Sequence, residues 1–321
     1  MIENFNPRKI KSAKREAVIK IEKYAGEGVS IGYENEKVIF VRYAIPGETI
    51  KVNIYRETKD YAMAEPVDII EASDERISPF CEYFNMCGGC DYQMISYDKQ
   101  IEIKKLLVAE IFNKMAKIDV KDILQVIKSP KEFFYRNTET FKVHPKLRKI
   151  GFFRKDTKSI VDINQCKIAM NGINEALKSV KEQEDFPPHN FKVRTTNDND
   201  TTVHWVKSKY PDKDVYETVK NKDREIKFKI SKDSFFQTNN YVIPLWIDKI
   251  IDFLDSEKNE RIYDLYCGIG LITLFVSFYA KETVGVEISK SSIKDANINL
   301  EINKIKTNVK FIESPVENII D

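Results

Sequence analysis

Residues 262–312 constrain the fold more than any other stretch. Ile262-Tyr-Asp-Leu-Tyr266 is a short apolar strand, Cys267-Gly-Ile-Gly270 a tight turn, and residues 271–279 a strongly apolar helix. Thr283-Val-Gly-Val-Glu287 is a second strand ending in an acid, followed by a helix over residues 291–304 and a strand over 308–312. This alternation marks an α/β region. Gly268 and Gly270 let the backbone approach a ligand at a helix N-terminus. Glu287, 23 positions after Asp264, can accept hydrogen bonds from both hydroxyls of a ribose. A nicotinamide dinucleotide site would normally carry a third glycine, and Leu271-Ile-Thr273 supplies none. The pattern favours S-adenosylmethionine as the cofactor.

A second constraint lies upstream. Cys81-Glu-Tyr-Phe-Asn-Met-Cys87-Gly-Gly-Cys90 places three cysteines within ten residues, and Cys166 stands alone much later. Four thiolates suit a tetrahedral zinc or an iron–sulfur cluster. The first residues are polar and basic with no apolar core, which points to a reducing cytoplasm, where disulfides are rare. Zinc sites usually present two short ligand pairs. Here there is one Cys-x-x-Cys and two unpaired cysteines, which favours a cluster over zinc and over ordinary buried thiols. His144, His189 and His204 have no ligand or triad spacing and read as structural or surface residues.

Residues 16–73 read as a small all-β unit, with strands near 17–22, 37–42, 49–55 and 61–67 punctuated by Gly26, Gly28, Gly32 and Pro46-Gly47. Small barrels of this kind commonly bind oligonucleotides. The chain's net charge is only +2, so any basic footprint must be local. Two stretches qualify. Residues 1–23 hold seven Lys/Arg against three acids, and residues 135–158 hold eight against two. The second is interleaved with Tyr135, Phe141, Phe152 and Phe153, the cation-plus-aromatic composition that single-stranded RNA recognition needs. Between the cysteines and this stretch, Leu107, Val108, Ile111, Phe112 and Met115 repeat at helical spacing and read as a core-facing stripe. No apolar run is long enough to span a membrane.

With these pieces in order, the chain resembles an iron–sulfur-containing RNA uracil-C5 methyltransferase of the kind that modifies 23S ribosomal RNA. The matching segments are Phe40-Val-Arg-Tyr-Ala-Ile-Pro-Gly-Glu48, Cys81-x5-Cys-Gly-Gly-Cys90, Tyr135-Arg-Asn137, Gly151-Phe-Phe-Arg154, Val161-Asp-Ile-x-x-Cys166, Ser234-Phe-Phe-Gln-Thr-Asn239 and Asp264-Leu-Tyr-Cys-Gly-Ile-Gly270. The resemblance implies a multidomain α+β and α/β protein. It would have a TRAM-like β-barrel at 1–73, a central α+β domain bearing the cluster at 74–230, and the first part of a Rossmann-like methyltransferase domain at 231–321. It further implies a [4Fe–4S] cluster on Cys81, Cys87, Cys90 and Cys166. Gln237 and Tyr266 would contact S-adenosylmethionine, Glu287 would hold its ribose, and Phe235 would shape the base pocket. The implied partner is ribosomal RNA; a monomer is the expectation, on no residue pattern of its own.

One part of the family pattern is missing. The nucleophilic cysteine of a Ser-Cys-Asn-Pro-like segment, the later glutamate base and an Asp-Pro-Pro-Arg-like segment do not occur, so the chain reads as the N-terminal portion of a longer enzyme. Cys267 does not replace that nucleophile. It lies inside the cofactor turn and reads as a small packed residue. The alternative function is a non-catalytic RNA-binding protein with a structural cluster or zinc.

Overall fold

The computed structural model describes residues 15–155, 157–205, 213–254 and 257–319. Most of the basic stretch 1–23 therefore lies outside the described residues. Five strands open the chain: β1 (Arg15–Gly26), β2 (Val29–Glu34), β3 (Lys37–Arg42), β4 (Thr49–Glu57) and β5 (Tyr61–Glu71). They close into a barrel in the order β1-β2-β3-β5-β4. Alternate residues Ile19, Ile21, Ile39, Val41, Ile50, Val52 and Ile54 fill its interior, as strand periodicity requires. Strand β2 was not among the sequence expectations, because Gly32 reads as punctuation. A Cβ at Gly32 would stand 2.3 Å from the Ile19 side chain and 2.4 Å from the Lys20 carbonyl. The glycine admits a close strand crossing and does not break the strand.

Compactness groups residues 1–126 with Phe153–Ser159 in one unit, and Ile127–Phe152 with Ile160–Asp321 in a second. Within the first unit the cysteine loop packs on the barrel. Glu48, fully buried, accepts from the Arg76 guanidinium at 2.5 and 2.8 Å and from the Ile45 N–H at 2.8 Å. The Gly28 N–H donates to the Tyr92 hydroxyl, and Lys155 pairs with Asp91. Helix α1 (Tyr97–Ala116), N-capped by Ser96, completes this unit.

The expected core stripe on α1 is corrected. Only Ile103 and Ala109 are buried on that helix, and Leu107 is half-buried against the Tyr43–Phe84 cluster. Val108, Ile111, Phe112 and Met115 are exposed, Met115 by 80%. The periodicity is real, but every residue of the helix after Ala109 is exposed, so only its N-terminal half is covered.

The second unit begins with β6 (Thr138–His144), β7 (Lys149–Phe153) and β8 (Ile160–Asp162), then helix α2 (Asn171–Lys181), then β9 (Phe191–Thr195) and β10 (Thr201–Trp205). These strands form one sheet in the order β10-β9-β6-β7-β8. A hairpin follows, β11 (Val215–Lys220) with β12 (Glu225–Ile230), and then helix α3 (Ile243–Leu254). The α/β region comes last: β13 (Arg261–Leu265), α4 (Leu271–Val276), β14 (Glu282–Glu287), α5 (Lys290–Ile302) and β15 (Val309–Glu313). Its three strands are parallel, in the order β13-β14-β15. Phe228, Phe236, Ile247, Leu274 and Phe275 join the hairpin, α3 and α4 in one core.

Helix α5 also covers the free edge of β12 with side-chain amides. Asn303 bonds both the N–H and the carbonyl of Lys227, at 2.9 and 2.7 Å. One turn earlier, Asn299 does the same for Lys229, at 2.7 and 3.3 Å. One turn earlier again, Asp295 accepts from the Ser231 N–H at 2.8 Å. Helical spacing of four matches strand spacing of two, so three polar side chains satisfy an edge that would otherwise be bare.

Candidate functional site

The glycine turn is built as the sequence implies. Tyr266, Gly268 and Gly270 all have positive φ, at 66°, 55° and 84°. A Cβ on Gly270 would lie 2.9 Å from the Phe311 ring, so glycine is required there by both conformation and space. The Gly268 N–H donates to Glu287 Oε2 at 3.1 Å, and the Ser289 N–H to Glu287 Oε1 at 2.8 Å. The acid at the end of β14 is therefore held against the turn at the end of β13. Glu287 is half-buried and Tyr266 is 68% exposed, so both can meet a ligand. Beneath them, Asp264 is buried and accepts from Thr273 Oγ1 at 2.5 Å. Burial raises its carboxyl above the usual range.

Cys267 is buried, and burial with nearby Asp264 and Glu287 pushes its thiol up to about 12. A neutral packed thiol is the role the sequence reading gave it.

Gln237 lies on the connection between β12 and α3 and is half-buried; Phe235 is 66% exposed and Phe236 is core. The segment leading to Gln237 is clamped. Asp295 accepts from Ser231 Oγ and Ser234 Oγ, each at 2.7 Å, and these bonds hold its carboxyl low against the cost of burial. Arg194 donates to the Ser231 and Ser234 carbonyls at 3.1 and 3.0 Å. Helix α5 ties this segment to the glycine turn, because Asn299, already on Lys229, donates to the Ile269 carbonyl at 3.1 Å. The sequence reading passed over Asp295, Asn299 and Arg194. The available signal was the polar i, i+4, i+8 series 295, 299, 303 on an otherwise amphipathic helix.

The cysteine loop is different. Cys81, Cys87 and Cys90 lie on one loop, and Cys81 and Cys90 pack against the same apolar cluster. Yet among the described residues no group of three or more His, Cys, Asp or Glu side chains could hold a metal ion. Cys81 and Cys90 instead pack beside Phe84, Met94 and Ile95, and burial pushes the Cys90 thiol up to about 11. The donor chemistry suits a soft metal, but the placement expected of a preformed ligand set is not there. Neutral thiols pack as small apolar groups until a metal displaces their protons. Cys166 belongs to the second unit, where its N–H donates to Asn174 at 2.8 Å.

The basic stretch is also corrected in part. Lys146, Arg148 and Lys149 are exposed around the β6–β7 turn, but Phe141 is fully buried and stacked on Phe152 at 5.2 Å. Phe141 packs on Phe191 as well, also at 5.2 Å, so it is core and offers no face to a base, and Phe153 is 37% exposed. His144 caps the turn through the Leu147 N–H, His204 is buried on Thr202, and His189 is exposed.

Residues 204–321 match the family model described as tRNA (uracil-5-)-methyltransferase. An uncharacterized RNA methyltransferase of Aquifex aeolicus is 29% identical, over 92% of this chain and 76% of that one. The 23S rRNA (uracil(1939)-C(5))-methyltransferase RlmD of Vibrio campbellii is 26% identical, over 98% and 79%. Together these indicate an RNA (uracil-5-)-methyltransferase. The crystal structure of Pyrococcus abyssi tRNA (uracil-54, C5)-methyltransferase with S-adenosyl-L-homocysteine superposes at a TM-score of 0.66 with 21% identity, covering 92% of this chain and 79% of that one. The methyltransferase fold is thus shared over nearly the whole chain, the barrel included. No described helix is long and apolar enough to cross a membrane.

Proposed function

We propose that the protein transfers a methyl group from S-adenosylmethionine to C5 of uracil in RNA, with 23S ribosomal RNA as the target. The observation that carries this is the Glu287 carboxylate bonded to Gly268 N–H across the ends of two parallel strands. A carboxylate there suits a ribose diol, and positive-φ glycines leave room for the donor's chain. Gln237 and Tyr266 complete the donor contacts, and Phe235 shapes the base pocket.

The C5 carbon of uracil is a poor nucleophile. Addition of a thiolate at C6 makes an enolate with electron density at C5, which takes the methyl from the sulfonium. A base then removes the C5 proton and the thiolate leaves. The target base must be flipped or single-stranded to enter such a pocket. The residues described here supply the donor site, and the lysines and arginine of the β6–β7 turn supply phosphate contacts. The thiolate is assigned to none of them, and Cys267 in particular stays neutral.

The test is methylation of ribosomal RNA by the natural protein with labelled S-adenosylmethionine, followed by nucleoside analysis. The expected product is 5-methyluridine from 23S RNA. Label in another nucleoside would overturn the reaction, label in transfer RNA alone would overturn the target, and RNA binding without label would leave only the binding reading.

Cys81, Cys87, Cys90 and Cys166 are proposed as ligands of a [4Fe–4S] cluster, on sequence spacing and donor chemistry. The cluster would supply a structural crosslink and no redox step. Protein purified without oxygen should carry about four iron and four sulfide per chain; stoichiometric zinc in colourless protein would refute this.

A further inference from the structure

One buried carboxyl has no part in the donor site as described. Glu217 on β11 is 1% exposed. Its Oε2 accepts from Asn240 Nδ2 at 2.6 Å and from the Asn197 N–H at 3.2 Å, and its Oε1 has no hydrogen-bond partner among the described residues. Asn240 is 4% exposed, and its Oδ1 accepts from Asn137 Nδ2 at 2.5 Å. Asn137 is 2% exposed; the same amide donates to the Gln237 carbonyl at 2.8 Å, and its backbone N–H donates to the Thr238 carbonyl at 2.9 Å. Four groups thus form one buried chain from Glu217 through Asn240 and Asn137 to the backbone at Gln237.

The chain has a direction. An asparagine amide can present either its oxygen or its nitrogen to a given neighbour. At Asn240 the carboxyl acceptor on one side forces the NH2 towards Glu217 and the oxygen towards Asn137. That in turn leaves the Asn137 NH2 to hold the Gln237 carbonyl. Burial of a carboxyl is costly, and here burial raises the Glu217 pKa to about 7. A hydrophobic residue at 217 would avoid that cost and would leave Asn240 Nδ2 only its longer bond to Asn197 Oδ1, at 3.3 Å. The surrounding hairpin core of Val215, Val219 and Ile226 shows that apolar packing was available.

We propose that Glu217 is a positioning residue for the methyl donor, acting through Asn240 and Asn137 to fix the backbone at Gln237. The inference rests on the reading of Gln237 as a donor contact. Its consequence is selective. Loss of the acceptor at 217 should loosen the Gln237 segment and weaken donor affinity, while any acceptor of similar length should suffice.

The test measures S-adenosylmethionine binding to the whole 321-residue chain by calorimetry, with urea midpoints beside it. Glu217→Leu, similar in size but without an acceptor, should raise the Kd about tenfold. Glu217→Gln keeps an acceptor and should stay within about twofold of the parent. Val219→Ala on the same strand should lower the urea midpoint and leave the Kd unchanged. A folded Glu217→Leu that binds like the parent overturns the proposal, and so does Val219→Ala weakening binding as much, since the role would then be structural. Should Glu217→Leu fail to fold, Asn240→Leu decides: it has no amide to donate to Glu217 or to accept from Asn137, and an unchanged Kd overturns the proposal. Gln237→Ala separates the two readings. If it leaves the Kd unchanged, or the parent does not bind, the donor-contact reading falls and takes this one with it. If it weakens binding while Glu217→Leu does not, only the present proposal falls.

Discussion

The glycine turn and the cysteine loop are both short, glycine-bearing stretches that the sequence marks as ligand sites, yet they stand in different states. The turn is complete without a ligand: three positive-φ residues, a buried Asp264 and a carboxylate already bonded to a backbone N–H. The loop is not. Cys81 and Cys90 are packed against the Phe84–Met94 cluster, burial pushes the Cys90 thiol up to about 11, and no metal-holding group forms among the described residues. The difference follows from the donors. Backbone N–H groups are neutral and can be fixed by the fold alone, whereas thiols must lose their protons to become ligands, and the thiolates so formed repel one another until a metal cation offsets their charge.

The largest expected effect sharpens the prebuilt side. Gly270→Ala must adopt φ near 84° and approach Phe311, so it should destabilise the second unit by about 2 kcal/mol and abolish donor binding, measured by urea unfolding and calorimetry. Unchanged affinity would show that the turn is not part of the site. Next, Glu287→Ala should weaken S-adenosylmethionine by about 2 kcal/mol, the scale of hydrogen bonds to a charged group, with little change in urea midpoint.

A third prediction concerns pH. Burial raises Glu139 and Glu217 from 4.5 to about 7, so between those values the folded chain binds more protons than the unfolded one. Stability conferred by these groups is present at low pH and is lost as pH rises from about 4.5 through about 7, by at most about 3 kcal/mol per group. Urea midpoints at pH 5 and pH 7.5 should show the fall, and glutamine at either position should reduce it; a flat profile would refute the shifts.

The fourth tests the unbuilt side. In metal-free protein, Cys90 and Cys267 should resist iodoacetamide at pH 8, because their thiols lie near 11 and 12. Rapid alkylation of Cys90 would mean that the loop opens. The smallest effect belongs to the corrected helix: Ile111→Lys and Met115→Lys should each change stability by less than about 0.5 kcal/mol, since both side chains are exposed.

Much of the second unit was legible. The strand, Gly-x-Gly, helix and strand-with-acid order carries its own local cause at each step, and the structure matches its bounds within two residues except at the end of α4, which stops three residues early and gives way to a 3-10 turn. Strand β2 was not legible, because whether a glycine breaks a strand or admits a neighbour depends on the barrel around it. The α1 stripe failed for a related reason. Periodicity says that a face is apolar, not how much of it another element will cover.

What the sequence determined by itself was the set of backbone-encoded features: the turn, its acid, the strands and the helical periods, all of which depend on neighbours a few positions apart. Tertiary structure decided the polar connections. Asp295 and Asn299 meet β12 across more than 60 positions, and Glu217 reaches Gln237 only through Asn240 and Asn137, which lies 103 positions from Asn240. An asparagine or glutamate carries no local sign of its partner, so its role appears only when folding removes water and leaves each buried donor one acceptor to find.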